Sequence, residues 1–175
     1  MPEAAQSSKV KMISVDTLTE HDWPSVRRIY EEGIATGDAT FETSAPNWPE
    51  WDAAHLRSPR LVARGEDQVL GWAALSPVSR RQVYAGVAEV SVYVAAEARG
   101  QKIGQRLLRA LVEASEQSGI WTLQAGIFPE NIASLAMHKA CGFTSVGKRK
   151  RIGRMDGRWR DTILMERRSD IVGLE

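Results

Sequence analysis

This sequence of 175 residues has very little cysteine and histidine, and it has no long apolar run. With one cysteine, Cys141, the chain cannot form an internal disulfide, which suits a reducing compartment. Its three histidines show no zinc-binding spacing. No stretch approaches the ~18 apolar residues of a membrane span, and residues 1–9 lack the apolar core of a signal peptide. We therefore expect a cytoplasmic protein with no metal site and no membrane segment.

An excess of either charge is also missing. Lys and Arg number 23 and Asp and Glu 22, so the formal net charge of +1 gives no general attraction to nucleic acid or to an anionic membrane. The basic run at residues 148–151 lacks interleaved aromatic residues, and we interpret it as a solvated edge strand. Length and composition predict one soluble domain, residues 10–175, preceded by a flexible segment at residues 1–9.

Two common phosphate-binding motifs are absent. The P-loop requires Gly-x-x-x-x-Gly-Lys-Ser/Thr and the dinucleotide-binding turn requires three spaced glycines, and neither pattern occurs. Residues 90–108 nevertheless have the pattern of a strand, a tight turn and a helix, because valines alternate before the turn and Ile103, Leu107 and Leu108 follow it at helical spacing. The first N–H groups of such a helix have no partner within it. This turn is therefore a candidate site for a phosphate group.

Hydrophobic periodicity predicts the other elements of the chain. Strands are expected at residues 11–17, 60–64, 69–76, 87–94, 121–128, 143–148 and 159–166. Helices are expected after Asp22, at residues 46–57, at residues 100–118 and after Asn131. This order, β-α-α-β-β-β-α-β-α-β-β, predicts a single α/β domain in which helices flank a mixed, mostly antiparallel central sheet.

The tight turn and the strand before it resemble a known family. Arg99-Gly100-Gln101-Lys102-Ile103-Gly104 is similar to the acetyl-CoA motif of the GNAT acetyltransferase superfamily, Arg/Gln-x-x-Gly-x-Gly/Ala, with Lys102 at the usual first glycine. Ala88-Glu89-Val90-Ser91-Val92-Tyr93-Val94 resembles the phosphinothricin and methionine sulfoximine N-acetyltransferase subfamily. Thr40-Phe41-Glu42-Thr43, Arg81-Gln82-Val83-Tyr84 and Asn131-Ile132-Ala133-Ser134-Leu135 follow the same subfamily in style and order, so that the resemblance covers roughly residues 13–166.

The resemblance implies a GNAT fold and acetyl-CoA as cosubstrate, without a metal. In the family, the strand backbone pairs with the pantetheine arm and the loop after it takes the pyrophosphate. Carried over to this chain, the cofactor-binding residues are Val92, Tyr93, Val94, Arg99, Gly100, Gln101, Lys102, Ile103, Gly104, Gln105, Asn131 and Ser134.

Two residues are candidates for proton transfer. An amine must lose its proton before it attacks a thioester carbonyl, and a nearby carboxylate can accept that proton. Taken alone, Glu89 is more simply a solvated strand residue, but the resemblance implies that it is the general base. His138 stands where many relatives have a tyrosine that protonates the departing thiolate, so histidine here either donates a proton or packs.

The substrate end is predicted from charge and from the resemblance. A guanidinium binds a carboxylate in a two-point fork, and Arg80 and Arg81 are candidates for it, although two solvated loop arginines are the plainer alternative. Phe41, Glu42 and Tyr84, together with Glu89, would complete the substrate pocket. The resemblance thus implies acetyl transfer to the α-amine of a small amino acid or analogue, in a homodimer. Because no adjacent His-Asp pattern marks Cys141 as a nucleophile, we expect direct transfer and not a ping-pong reaction. Acetylation of a protein N-terminus or lysine, and a non-catalytic acetyl-CoA-binding module, stay open as alternatives.

Overall fold

The computed structural model describes residues 12–175, and the predicted flexible segment at residues 1–9 lies outside them. The strands are β1 (Ile13–Thr17), β2 (Arg60–Gly65), β3 (Gln68–Pro77), β4 (Val87–Val94), β5 (Thr122–Ile127), β6 (Thr144–Met155) and β7 (Arg158–Arg168). The helices are α1 (Trp23–Ala35), α2 (Trp48–Ala54), α3 (Ile103–Gln117) and α4 (Ile132–Ala140), besides three short 3-10 turns. The predicted order of elements and the α/β class are confirmed.

The seven strands form one sheet in the order β1-β2-β3-β4-β5-β7-β6. Every neighbouring pair is antiparallel except β4 and β5, which are parallel. That parallel pairing is short: it joins Val87 to Thr122 and ends at Glu89 and Gln124. Beyond this point β4 continues to Val94 and β5 to Ile127 without pairing to each other. The sheet is therefore split on one side of Glu89.

Helices cover both faces of the sheet. On one face the Tyr93 ring of β4 stacks on Trp72 of β3 at 4.8 Å and contacts Tyr30 of α1. On the other face Val94 lies against Gly104 of α3. Because successive strand residues point to opposite faces, Glu89 shares the α1 face with Tyr93, whereas Val90 and Val92 share the α3 face with Val94.

The position of α2 is fixed by its cap and by one tryptophan. The Asn47 side chain accepts a hydrogen bond from the Glu50 N–H at 3.0 Å, and the Asn47 N–H donates one to the Glu50 carboxylate at 3.1 Å. This capping box satisfies N–H groups that a helix start leaves unpaired. Trp51 is fully buried between α1 and the sheet, and the His55 ring stacks on it at 4.1 Å. The helix thereby holds His55 above β3.

Three boundaries differ from the sequence prediction by three residues or more. Helix α3 begins at Ile103 and not at residue 100, because Gly100 (φ +77°) and Lys102 (φ +61°) have left-handed backbone conformations that interrupt a helix. Helix α2 ends at Ala54, since His55 is extended. Strand β6 runs through the basic residues 148–151 to Met155, and it is the edge strand that we expected there. Among residues 12–175, no helix is long and apolar enough to cross a membrane.

Candidate active site

A cleft of about 1410 Å³ occupies the split between β4 and β5. Its walls are β4 from Glu89 to Val94 and β5 from Ala125 onward, and its two ends are closed by the loop before α3 and by the loop after α1. Along β4 after Glu89, the backbone N–H and C=O groups on the side of β5 pair with no strand among residues 12–175. Unpaired backbone N–H and C=O groups in a cleft need a partner. An extended ligand with amide groups can supply it, as an added strand would.

The loop before α3 forms the anion-binding end of the cleft. Arg106 N–H donates to the Lys102 carbonyl at 3.0 Å, so the N–H groups of residues 103–105 precede the first helical hydrogen bond. These groups carry the positive end of the helix dipole. Gly100 has nothing within 4 Å of the place where a Cβ would stand, and the Lys102 side chain is exposed at the rim. The loop therefore offers backbone donors and an added positive charge to a phosphate.

Eleven of the twelve predicted cofactor residues line this cleft. They are Val92, Tyr93, Val94, Arg99, Gly100, Lys102, Ile103, Gly104, Gln105, Asn131 and Ser134. Gln101 does not line it, because its side chain turns back to donate to the Glu97 carbonyl at 3.3 Å.

Gly104 and Asn131 also have structural roles that the sequence pattern does not indicate. Gly104 allows α3, α4 and β4 to pack closely, since a Cβ there would stand 2.7 Å from Met137 Sδ. Asn131 caps α4 by accepting from the Ser134 N–H at 3.1 Å, and it donates to the Asp38 carbonyl at 3.1 Å. The Asn131 side chain thus joins the start of α4 to the loop after α1.

Glu89 lies at the vertex of the split. It is exposed, it belongs to the last paired row of β4 and β5, and Gln124 Nε2 donates to its Oε2 at 3.0 Å. Ser76 of β3 is its neighbour on the other side. A carboxylate held by one amide and otherwise open to the cleft can accept a proton from a ligand in the cleft.

His138 is buried beneath the same cleft. Its Nδ1 lies 2.8 Å from the Ser134 carbonyl, and because a carbonyl only accepts hydrogen bonds, Nδ1 carries the proton. Burial lowers the pKa of His138, so the ring is neutral near pH 7. Within residues 12–175 its buried Nε2 has no partner. A neutral ring with this tautomer presents an acceptor at Nε2, and the general-acid role stays a prediction.

The predicted substrate residues separate into two groups. Phe41 and Glu42 line the cleft with Glu89, and the Phe41 ring packs edge-on against Phe128 at 4.8 Å. Arg80, Arg81 and Tyr84 are exposed and do not line the cleft. The Arg81 guanidinium instead lies over the Tyr84 ring at 5.6 Å, and the 3-10 turn Gln82–Tyr84 holds this loop outside the cleft.

The structure adds residues that the sequence prediction missed. His55 lines the cleft on the α1 face, with Nδ1 2.7 Å from the Trp51 carbonyl, and burial lowers its pKa. Thr162 of β7 also lines the cleft, and its buried hydroxyl has no hydrogen-bond partner in residues 12–175. Arg149 of β6 extends a guanidinium nitrogen to within 3.1 Å of where a Cβ would stand on Gly126, which lines the cleft.

Comparison with known proteins decides the family. The sequence pattern of the acetyltransferase (GNAT) family matches residues 18–143, which is most of the chain. The chain belongs to the GNAT acetyltransferase family. In this GNAT protein the split sheet and the loop before α3 are thus parts of an acetyltransferase domain, and the predicted family is confirmed.

Two curated relatives of this GNAT chain are named acetyltransferases. Phosphinothricin N-acetyltransferase of Alcaligenes faecalis is 36% identical over 177 residues, covering 95% of this chain and 89% of the relative. L-methionine sulfoximine/L-methionine sulfone acetyltransferase of Pseudomonas paraeruginosa is 31% identical, covering 83% of this chain and 88% of the relative.

A solved structure extends the comparison to the cosubstrate. The GNAT superfamily phosphinothricin acetyltransferase of Sinorhizobium meliloti, crystallised in complex with acetyl-CoA, has a TM-score of 0.83 and 31% identity. The match covers 93% of this chain and 91% of that one. Among residues 12–175, no group of three or more His, Cys, Asp or Glu side chains is placed to hold a metal ion.

Proposed function

We propose that this GNAT enzyme transfers acetyl from acetyl-CoA to the α-amine of a small amino acid of the phosphinothricin, methionine sulfoximine or methionine sulfone type. One observation carries the proposal: Glu89 lies where the split between β4 and β5 closes, with its carboxylate turned to the cleft. The names of the relatives and the acetyl-CoA complex of the Sinorhizobium enzyme support the same reaction.

Acetyl-CoA fits the cleft by the chemistry of its lining. The unpaired backbone edge of β4 offers amide partners to the pantetheine arm, as residues 92–94 line the cleft. The N–H groups at the start of α3 and the Lys102 ammonium suit the pyrophosphate. With the pyrophosphate at this loop and the arm along β4, the thioester lies toward Glu89.

The reaction that follows from this placement is a direct transfer. Glu89 accepts a proton from the substrate ammonium, and the neutral amine attacks the thioester carbonyl carbon. When the C–S bond of the tetrahedral intermediate breaks, CoA leaves as its thiolate and the acetyl group stays on nitrogen. The nitrogen loses its second proton to that thiolate or to water, and Glu89 returns its own proton to water. Cys141 is buried and burial raises the pKa of its thiol, which argues against an acetyl-cysteine intermediate.

The Glu89→Gln variant tests the base. We expect it to bind acetyl-CoA as the wild type does while kcat falls by roughly a hundredfold, the typical contribution of a general base. The deficit should shrink as the pH rises, because more of the substrate amine is then already neutral. Release of free thiol measures turnover, and calorimetry measures acetyl-CoA binding.

Glu113→Gln is the matched control, since Glu113 is an exposed carboxylate on α3 outside the cleft lining. It should leave turnover unchanged. Wild-type turnover in Glu89→Gln at neutral pH would remove the base from the mechanism. Acetylation of peptides but of no free amino acid would favour the protein acetyltransferase alternative, and acetyl-CoA binding without any acceptor would favour the binding module.

We also propose that the enzyme is a homodimer. Edge strand β6 leaves Val146 and Ile152 exposed, and Trp159 at the start of β7 is 58% exposed. Met165, also on β7, is buried in the core and is not available to such an interface. The apolar contact would therefore use the outer edge of the sheet.

A further inference from the structure

We propose that Arg149, together with Thr162, forms an anion subsite that binds an acidic oxygen group of the amino-acid substrate. The inference rests on the proposed function, and it assigns substrate recognition to a strand residue in place of the loop arginines Arg80 and Arg81. The subsite is defined here by Arg149, Thr162 and Gly126, on the α1 face of strands β6, β7 and β5.

The position of the Arg149 guanidinium is the first observation. Arg149 pairs with Thr162 across β6 and β7, so both side chains leave the sheet on the same face. The arginine then crosses β7 and ends over Gly126, which lines the cleft. A side chain at residue 126 would meet this guanidinium, since its Cβ would stand 3.1 Å from the terminal nitrogen. Glycine at this position therefore leaves room for the arginine beside the cleft.

Arg149 differs from the neighbouring cationic side chains in that its guanidinium has no carboxylate or carbonyl partner in the described residues. Lys148 forms an ion pair with Asp161 at 2.9 Å. Arg160 is held by Asp38 at 2.8 Å and by the Gly37 carbonyl at 3.0 Å. The Arg149 side chain forms no hydrogen bond or ion pair in the part of the chain that the structure describes. Its five donors are thus available to a ligand.

Thr162 supplies the second, independent observation. Its side chain is 4% exposed, it lines the cleft, and no group of residues 12–175 bonds its hydroxyl. A buried hydroxyl without a partner is destabilising unless a ligand or water satisfies it. A hydroxyl can donate to the same oxyanion that a guanidinium binds.

The subsite is on the correct side of the sheet for a substrate. Gly126 follows Gln124 by two residues on β5, so both face the side on which Glu89 lies. Gln124 is the residue that hydrogen-bonds Glu89. An amino acid whose oxyanion meets Arg149 can therefore direct its amine along β5 toward the proposed base.

The experiment compares Arg149→Ala, Arg149→Lys and Thr162→Val with the wild type. We expect Arg149→Ala to lower kcat/KM for the amino acid by roughly tenfold to a hundredfold, mainly through KM, and to leave the KM for acetyl-CoA unchanged. Arg149→Lys should restore the activity only in part, because an ammonium lacks the planar fork. Thr162→Val should raise the amino-acid KM severalfold without lowering the melting temperature, since it removes an unpartnered hydroxyl.

Lys150→Ala is the matched control, because it removes one positive charge at the next position of the same strand. It should change neither KM. Arg80→Ala and Arg81→Ala serve as the rival assignment. If one of these lowers kcat/KM while Arg149→Ala does not, the subsite at Arg149 is refuted.

Two substrate pairs identify the group that is bound. Phosphinothricin has an acidic phosphinate group on its side chain, whereas methionine sulfone has a neutral sulfone group. A loss confined to phosphinothricin assigns Arg149 to the side-chain oxyanion. The α-carboxylate is assigned by two results together. Arg149→Ala lowers kcat/KM equally for both substrates, and the wild type discriminates against an α-carboxamide substrate whereas Arg149→Ala does not.

A binding measurement separates this inference from the proposed function. Calorimetric titration with phosphinothricin should show wild-type binding that Arg149→Ala weakens by a similar factor. If the wild type binds in this way but transfers no acetyl group, the proposed function fails and the subsite stands. If the wild type is active and Arg149→Ala equals it in binding and turnover, the subsite fails and the function stands. Absence of both binding and turnover in the wild type overturns both.

Discussion

Replacement of Lys102 by glycine should have two separate effects: it should relieve backbone strain and so raise the stability of the fold, and it should weaken acetyl-CoA binding. Lys102 is the N-cap of α3 and has φ +61° and ψ +17°, in the left-handed region. A residue with a Cβ pays roughly 1–2 kcal/mol for that conformation. Glycine avoids this penalty but loses about 0.5–1 kcal/mol through the greater freedom of its unfolded chain. The difference between the middles of these two ranges predicts a gain of about 0.75 kcal/mol in the free energy of unfolding.

The gain is large enough to measure. For a chain of this length, 1 kcal/mol shifts the melting temperature by roughly 2–4 °C, so Lys102→Gly should melt about 1–4 °C higher. Urea unfolding should show a higher midpoint with an unchanged slope. Lys102→Ala is the control, because it removes the same charge but keeps the Cβ, and it should show no such gain.

Acetyl-CoA affinity is the second measurement on the same variants. The Lys102 ammonium is exposed at the rim of the cleft, so its loss should weaken binding by only roughly threefold to tenfold. Glycine and alanine should weaken it equally, and added salt should reduce the difference from the wild type. An equal rise in stability for alanine, or a fall for glycine, would refute the strain argument. Undiminished affinity in both variants would remove Lys102 from the pyrophosphate site.

The remaining predictions concern acid stability and assembly. Burial lowers the pKa of His55 and of His138 in the folded protein, whereas in the unfolded chain a histidine has a pKa of about 6.5. At a pH between the lowered pKa values and about 6.5, the folded protein therefore binds fewer protons than the unfolded chain. The free energy of unfolding should therefore be constant above about pH 6.5 and fall below it, by up to about 1.4 kcal/mol per pH unit for each histidine. Asp22 and Glu116 also have lowered pKa values, but their ordinary values of 3.8 and 4.5 place their effect at lower pH. Urea unfolding at pH 7.5 and 5.5 tests this, and an undiminished fall in a His55→Gln, His138→Gln double variant would contradict it. Sedimentation at micromolar concentration should show a dimer, and a single species of 19.4 kDa would contradict the proposed assembly.

The parts that sequence predicted well are those that local patterns determine. The strand before the turn and the helix after it carry unambiguous periodicity, so the loop from Arg99 to Gln105 was located correctly apart from its helix start. The departure at Lys102 is explained by the structure, since the left-handed backbone there is the conformation that glycine adopts without a Cβ penalty. Glu89 was placed on the correct strand face by alternation alone.

The parts that were missed depend on contacts between distant segments. In the basic run at residues 148–151 every residue is charged, so alternation cannot reveal that the Arg149 side chain reaches Gly126 at the edge of the cleft. Its position follows only from the register of β6 on β7 and from the missing side chain of Gly126. Arg81 shows the opposite case, because it lies close to Glu89 in the sequence whereas the 3-10 turn Gln82–Tyr84 holds it outside the cleft lining.

From the closed end of the split between β4 and β5 we also infer a limit on the length of the acyl group. The last paired row, Glu89 with Gln124, is followed toward residue 87 by continuous sheet, so no gap exists there for a longer chain. If the pyrophosphate is fixed at the loop before α3 and the pantetheine arm follows β4, the thioester stops at one depth. An acetyl group then ends beside Glu89, whereas a longer acyl chain must turn into the part of the cleft lined by Phe41, Glu42 and His55. We therefore expect the point at which β4 and β5 separate to favour acyl donors with a short acyl group.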